Sequence, residues 1–257
     1  MPTPQPSASA SASPAFPSAR RIARALAWAK ARSGKVGVAI VDSRGDLHVS
    51  DAYRQFQSAS LSKAMLLVAY LRSHPRPTTA MRATLSGMIE ESDNADADAV
   101  YDVVDNSGLL RVAKLAGMQD FSVGGSWIDA RVTAADQARF FYHYQSYLPA
   151  RSVALARRLL SDVTYMQRWG IPAAADPAGW KVLFKGGWLG EDNYLMNQAA
   201  WLERGGVRWS LAILTDDDPT SSYGWQTQKG IAGILLGHRP TAAYLAVVHE
   251  GDASASQ

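Results

Sequence analysis

The sequence has no cysteine, which excludes disulfides and thiolate metal sites. It has little charge imbalance: 26 Lys and Arg against 23 Asp and Glu leave a formal net charge of +3. No basic stripe is interleaved with aromatics, so a nucleic-acid partner has no footprint. No apolar stretch is long enough to span a bilayer. The five histidines, His48, His74, His143, His238 and His249, show no metal-ligand spacing, and neither a metal nor a cofactor is expected. No internal repeat is present. What remains is a 257-residue chain long enough to bury a large core, as one domain or two closely packed lobes.

The two ends offer little to bury. Residues 1–17 are Pro, Ser and Ala almost throughout and read as a disordered leader. They lack the apolar core of a signal peptide. Their composition suits a stalk between an export signal outside this sequence and a folded domain; a flexible terminus of a cytosolic protein has the same composition. Residues 251–257 read as a second loose tail.

Between them the patterning predicts a helix over Ser18–Arg32, strands over Val36–Asp42 and Leu47–Ser50, and then a long helical section. Its helices are expected at 60–73, Thr79–Ile89, Ala95–Val104, Leu109–Ala116, from Thr133 with Asp136 three residues on, and Ser152–Tyr165. Strands return at Trp180–Phe184, Tyr194–Leu202 and Trp209–Leu214. The run Asp216-Asp217-Asp218-Pro219 reads as a solvated turn, and Trp225–Leu236 as a closing helix. The expected domain, 18–250, is thus a split α/β lobe (18–54 plus 170–250) with an all-α lobe (55–169) inserted.

The chemistry concentrates on Ser60-Leu61-Ser62-Lys63. The apolar run Met65–Leu71 predicts a buried helix with Ser60 in its first turn. Positions three apart share a helix face, so Lys63 can reach the Ser60 hydroxyl. Unfilled N–H groups at a helix start favour developing negative charge there. That is an activated-nucleophile geometry. The neighbouring Ser58 and Ser62 have no Lys three residues on. Two further motifs follow in order: Ser92-Asp93-Asn94, and Lys185-Gly186-Gly187 on a late strand.

S-x-x-K, S-D-N and K-T-G in this order are the signature set of class A β-lactamases and penicillin-binding proteins. The sequence resembles that family of active-site serine hydrolases from about Ala19 to Gly237. The third motif departs, with Gly186 where the family has Thr or Ser. The resemblance implies a β-lactamase-like fold, α/β plus all-α, with an antiparallel sheet flanked by helices. It implies Ser60 as nucleophile, with its own N–H and that of Trp188 as oxyanion donors. Lys63 would be the proton acceptor, made partly neutral by burial and by Lys185 as a second cation. Ser92 would pass a proton to the leaving nitrogen, and Asn94 would bond Lys63 and the substrate's acylamide carbonyl. Lys185 would help hold a substrate carboxylate, a task for which Gly186 supplies no hydroxyl. The Gly186-Gly187 pair instead leaves room for substrate backbone. Each group also has a plainer reading. Ser60 can be a helix cap, Lys63 a charged positioning group, Ser92-Asp93-Asn94 an Asx turn with an N-cap, and Lys185-Gly186-Gly187 a turn.

One absence bears on turnover. The class A enzymes carry a water-activating Glu on the loop that precedes the helix start at Thr133. Between Gly108 and Thr133 this sequence has no Glu; Asp120 and Asp129 are present outside the E-x-x-L-N pattern. Asp129, Glu191 and Asp192 are weak substitutes. Asp93, Asp96 and Asp98 read as a solvated helix face, and most tryptophans, Trp127 and Trp169 included, as core. The expectation is an acyl-enzyme-forming hydrolase acting on an amide or ester, a β-lactam or peptidoglycan peptide. A β-lactamase with a relocated base and a non-catalytic envelope binding protein are the alternatives. A monomer, secreted or associated with the cell envelope, is expected.

Overall fold

A computed structural model describes residues 15–190 and 194–238; Glu191, Asp192 and the 251–257 tail lie outside them. The elements, in chain order, are α1 (Ala19–Lys30), β1 (Lys35–Val41), β2 (Leu47–Ser50), β3 (Gln55–Gln57), α2 (Lys63–Ser73), α3 (Thr79–Ser86) and α4 (Asn94–Leu115). Then come β4 (Arg131–Thr133), α5 (Ala134–His143), α6 (Ala150–Ser161), α7 (Ile171–Ala175), β5 (Lys181–Leu189), β6 (Tyr194–Arg204), β7 (Val207–Asp218) and α8 (Ser221–Leu236). No helix among the described residues is long and apolar enough to cross a membrane.

Five strands form one antiparallel sheet in the order β2-β1-β7-β6-β5, which leaves β5 at an edge. The inner strands β1, β6 and β7 are buried almost throughout, so both faces are covered. Side chains alternate between those faces. Ser210 of β7 donates to the Ala138 carbonyl of α5 at 2.6 Å, which fixes one face. Met196, paired with Thr215 across the ladder, meets Gly224 of α8 on the other.

Helix α2 is the centre of the helical part. Every residue from Lys63 to Leu71 is buried. At roughly 2 kcal/mol for each large aliphatic side chain removed from water, its burial is a principal source of stability. Helix α5 begins where the sequence places it: Thr133 Oγ1 accepts from Asp136 N at 3.1 Å.

The chain departs from its sequence pattern at several points, each with a local cause. The helix from Thr79 ends at Ser86 and opens into a π turn, Gly87–Glu91. The two helices expected over 95–116 form one run, broken at Asp105 (φ 52°), whose carboxylate accepts from Ser107 N and Gly108 N. The helix expected to reach Tyr165 stops at Ser161, because Thr164 N bonds the Glu90 carbonyl and turns the chain aside. A two-stranded sheet, β3 with β4, was not legible in the sequence.

Asp218 is the clearest correction. It is the last residue of β7 and is buried, where a solvated turn was expected. Its Oδ2 accepts from Thr215 Oγ1, and burial pushes its carboxyl up to about 6 against the pull of that bond and of Arg32. A carboxyl raised on folding binds its proton more tightly in the folded state. Its contribution therefore favours folding at low pH and is lost as pH rises from about 4 through 6. Between pH 4.5 and 7, wild type is expected to lose roughly 2 kcal/mol of stability relative to Asp218→Asn. Denaturant titrations at both pH values measure this, and parallel behaviour of the two proteins would refute it.

Candidate active site

Ser60 sits in a 3-10 turn, Ala59–Ser62, that leads directly into α2. The turn is held from several sides. Ser58 N bonds the Ala130 carbonyl at 2.7 Å, and the buried Asn197 Nδ2 of β6 donates to the Gln57 carbonyl at 2.8 Å. Ala59, immediately before Ser60, has φ 45°, a left-handed conformation that costs a non-glycine residue about 1–2 kcal/mol. Two hydroxyls secure it: Ser58 Oγ and Ser62 Oγ donate to the Ala59 carbonyl at 3.1 and 3.0 Å. The two serines flanking Ser60 thus hold the turn.

The Lys63 ammonium, carried inward by α2, donates to the carbonyls of Ser92 (2.6 Å) and Asp93 (3.1 Å), to Asn94 Oδ1 (2.7 Å), and at longer range to Ser92 Oγ (3.4 Å). Ser60 Oγ is not among its hydrogen-bond partners. The Trp127 ring covers the same ammonium at 4.8 Å from its centroid. Burial lowers the Lys63 pKa to about 8, with Asp93, Asp98 and Asp96 opposing the shift.

Ser92 owes its position to the π turn. Its N–H closes on the Gly87 carbonyl, and Ser92 itself is left-handed (φ 60°), which turns its carbonyl and hydroxyl toward Lys63. Asp93 caps α4 through Asp96 N at 2.8 Å, the local structural role its residue type suggests. The neighbouring acids are less idle than a solvated face: Asp98 Oδ1 accepts from Trp127 Nε1 at 2.7 Å and holds that ring over Lys63.

Strand β5 brings the third motif alongside. Lys185 pairs with Ala199, which pairs with Ala212, so it lies on the α5 face. Its ammonium is fully buried and donates to Ser92 Oγ at 2.9 Å and to the Gly186 carbonyl at 3.0 Å. Burial, and then the Lys63 charge, push its pKa well below the ordinary lysine value. With fewer acceptors than Lys63 and no acid beside it, Lys185 is the amine that gives up its proton more readily.

The two glycines differ. A Cβ on Gly187 would lie 2.5 Å from Leu61 N, 2.6 Å from the Ser58 carbonyl oxygen and 2.9 Å from Ser60 N. The space it leaves is taken by the chain's own Ser60 turn. A Cβ on Gly186, on the opposite face, would stand 3.4 Å from the Trp169 ring. Trp188 is partly exposed and meets Trp169 edge-on.

Of the other carboxylates named from the sequence, Asp120 and Asp129 are not among the acids acting on the Lys63 charge. Asp129 accepts from Gln57 Nε2 at 3.1 Å. Among the described residues no group of three His, Asp or Glu side chains is placed to hold a metal ion. Sequence reasoning missed Asn197 and treated Trp127 and Trp169 as core. Asn197 carried a signal, a buried amide pair with Gln198 in an otherwise apolar strand; the tryptophans carried none.

No family model matches the chain, and no curated protein matches it in sequence. Solved structures do match in fold. A β-lactamase from Sphaerobacter thermophilus superposes with a TM-score of 0.73 at 19% identity, covering 84% of this chain and 96% of that one. A β-lactamase from Chitinophaga pinensis gives 0.74 at 14%, covering 89% and 99%. A class A β-lactamase from Mycobacterium abscessus gives 0.71 at 20%, covering 84% and 98%. The chain therefore has the β-lactamase-like fold, as the resemblance implied.

The glycine geometry yields a paired prediction. Gly187→Ala forces backbone apart at the Ser60 turn and is expected to cost 1–3 kcal/mol of stability, as overpacking does. Gly186→Ala meets only an indole at contact distance and is expected to cost under about 0.5 kcal/mol. Denaturation midpoints of the two variants measure the difference, and equal losses would contradict it.

Proposed function

We propose that the protein is an acyl-transferring serine hydrolase in which Ser60 is the nucleophile. The observation that carries this reading is Ser92 Oγ, set between two buried amines, Lys185 at 2.9 Å and Lys63 at 3.4 Å, beside the Ser60 turn. A site with no chemistry to perform has no physical need for two ammonium groups buried around one hydroxyl, because each costs several kcal/mol of lost hydration.

In the proposed sequence, Ser60 Oγ attacks the carbonyl carbon of an amide or ester, such as a β-lactam or a peptidoglycan peptide. Its proton moves to neutral Lys63. The N–H groups of Ser60 and Trp188 receive the developing oxyanion, worth several kcal/mol when preorganised. The intermediate collapses with the proton delivered through Ser92 Oγ to the leaving nitrogen or oxygen. Asn94 orients Lys63 and the acyl amide, and burial keeps the Lys63 pKa low. Attack of water on the acyl-enzyme then needs a base. The Trp127 ring over Lys63 and the engagement of Asp129 with Gln57 support slow release. An exported, envelope-associated monomer is part of the same reading, in which residues 1–17 serve as a stalk.

Two measurements test it. With an activated p-nitrophenyl ester, we expect a burst of one equivalent of nitrophenol, slow later turnover, and an adduct on Ser60 by intact-protein mass, all absent in Ser60→Ala. Rapid clearance of the adduct would favour a β-lactamase-like enzyme with another base, and an unchanged burst in Ser60→Ala would sink the assignment. Because only neutral Lys63 accepts a proton, the burst rate should climb about tenfold per unit below pH 8 and level off above it. A flat profile from pH 6.5 to 9 would remove Lys63 as the base.

A further inference from the structure

Beside the candidate site, on the α8 face of β5, lies an open groove of about 640 Å³. Its walls include Tyr165, Met166, Trp169, Trp188 and Trp225, with Glu91 at one side. It adjoins the site at two points, since Glu91 precedes Ser92 and Trp188 follows Gly187. Four of the nine large apolar side chains exposed among the described residues line it: Tyr165 (87%), Met166 (82%), Trp188 (41%) and Trp225 (38%). Such clustering of exposed apolar surface marks a binding place.

The geometry points to an organic cation as its occupant. We propose that the groove receives an ammonium-bearing group of the substrate whose acyl carbon reaches Ser60, so that this protein selects cationic acyl donors over carboxylate-bearing ones. Trp169 is the centre of the wall, with Trp188 edge-on at 81° (6.0 Å) and Trp225 nearly parallel at 23° (5.8 Å). An exposed indole face attracts cations through its quadrupole. Glu91 is the one charged residue lining the groove; it is exposed and has no ion pair or side-chain hydrogen bond among the described residues. The adjacent Arg168 is committed to Asp176 through two bonds of 2.8 Å, and the Lys185 ammonium, 5.9 Å from the Trp188 ring centroid, is committed to Ser92 Oγ and the Gly186 carbonyl. A carboxylate would meet here no free cation, no hydroxyl at Gly186, and the Glu91 charge.

The proposal rests on the acyl-transfer reading for the substrate's reactive end, while binding itself is measurable without it. Three p-nitrophenyl esters of equal reach serve as probes: trimethylammonio-butanoate, its neutral tert-butyl isostere and the glutarate half-ester. Burst rates are expected to fall in that order, with the cation ahead of the carboxylate by roughly tenfold or more. Glu91→Gln, which leaves the aromatic walls in place, should erase most of that preference and leave the neutral ester unchanged, while Trp225→Ala should slow the cationic ester more than the neutral one. A faster carboxylate ester, or equal loss on all three esters, overturns the proposal. A parallel fluorescence titration uses benzyltrimethylammonium against phenylacetate. Quenching by the cation alone, lost in Trp225→Ala, supports the groove even if no ester acylates Ser60, in which case it is the reading of Ser60 that fails. Absence of quenching in the wild type overturns the groove.

Discussion

Two amines buried on either side of one hydroxyl set the terms for the rest of the structure. A buried ammonium is tolerated only where donors find acceptors. Lys63 finds them in the Ser92 and Asp93 carbonyls and Asn94, with the Trp127 ring beneath. Those acceptors exist because the chain opens into a π turn and Ser92 turns left-handed, so the motif Ser92-Asp93-Asn94 works as a cradle before it works as chemistry. Among the described residues Lys185 has two acceptors, Ser92 Oγ and the Gly186 carbonyl, with the Trp188 ring 5.9 Å away. The imbalance makes the pair share its protons unequally, with Lys185 the poorer holder. The sequence pattern suggested Lys185 as the cation that neutralises Lys63; the structure reverses this, with burial lowering Lys63 and the Lys63 charge adding to the burial that lowers Lys185.

The second constraint is the approach of an edge strand to a strained turn. Gly187 packs where any side chain would strike backbone, Asn197 on the next strand holds the Gln57 carbonyl, and Ala59 is kept left-handed by two neighbouring serines. Strain of this kind persists only where surrounding contacts over-determine it. Here those contacts come from β6, from the loop carbonyl of Ala130 and from within the turn. Ser60 Oγ is not among the hydrogen-bond partners of Lys63, and the turn is held by bonds to groups other than the amines.

Much of this was legible in the sequence, and the reason differs by element. The buried run Met65–Leu71 and the capping pair Thr133 and Asp136 are local signals, and the structure obeys them. Of the side chains in the three motifs, Lys63, Ser92, Asn94 and Lys185 come together, while the Lys63–Ser60 bond expected from their spacing is not among the hydrogen bonds. What escaped was non-local. Asp218 looked solvated among three acids, yet β7 carries it inward against Thr215. Trp127 and Trp169 resembled any core tryptophan, and only the fold sets one over Lys63 and the other against Gly186. The π turn has no composition of its own; it arises where Thr164 and Asp93 draw on the Glu90 and Gly87 carbonyls.

Strand alternation explains why the third motif departs where it does. Positions 185 and 187 share one face of β5, and both are pinned, one by the Ser92 hydroxyl and the other by backbone contact with the Ser60 turn. Position 186 shares the opposite face with Trp188, where the neighbours are indoles and the space is open to solvent. A change at 186 therefore leaves the amine-hydroxyl cluster untouched and alters only what lies along the groove. With Gly186, the Trp169 ring packs against the strand and forms part of an aromatic wall. One strand thus carries two surfaces: positions 185 and 187 face the Ser92 hydroxyl and the Ser60 turn, and positions 186 and 188 face the indoles of the groove.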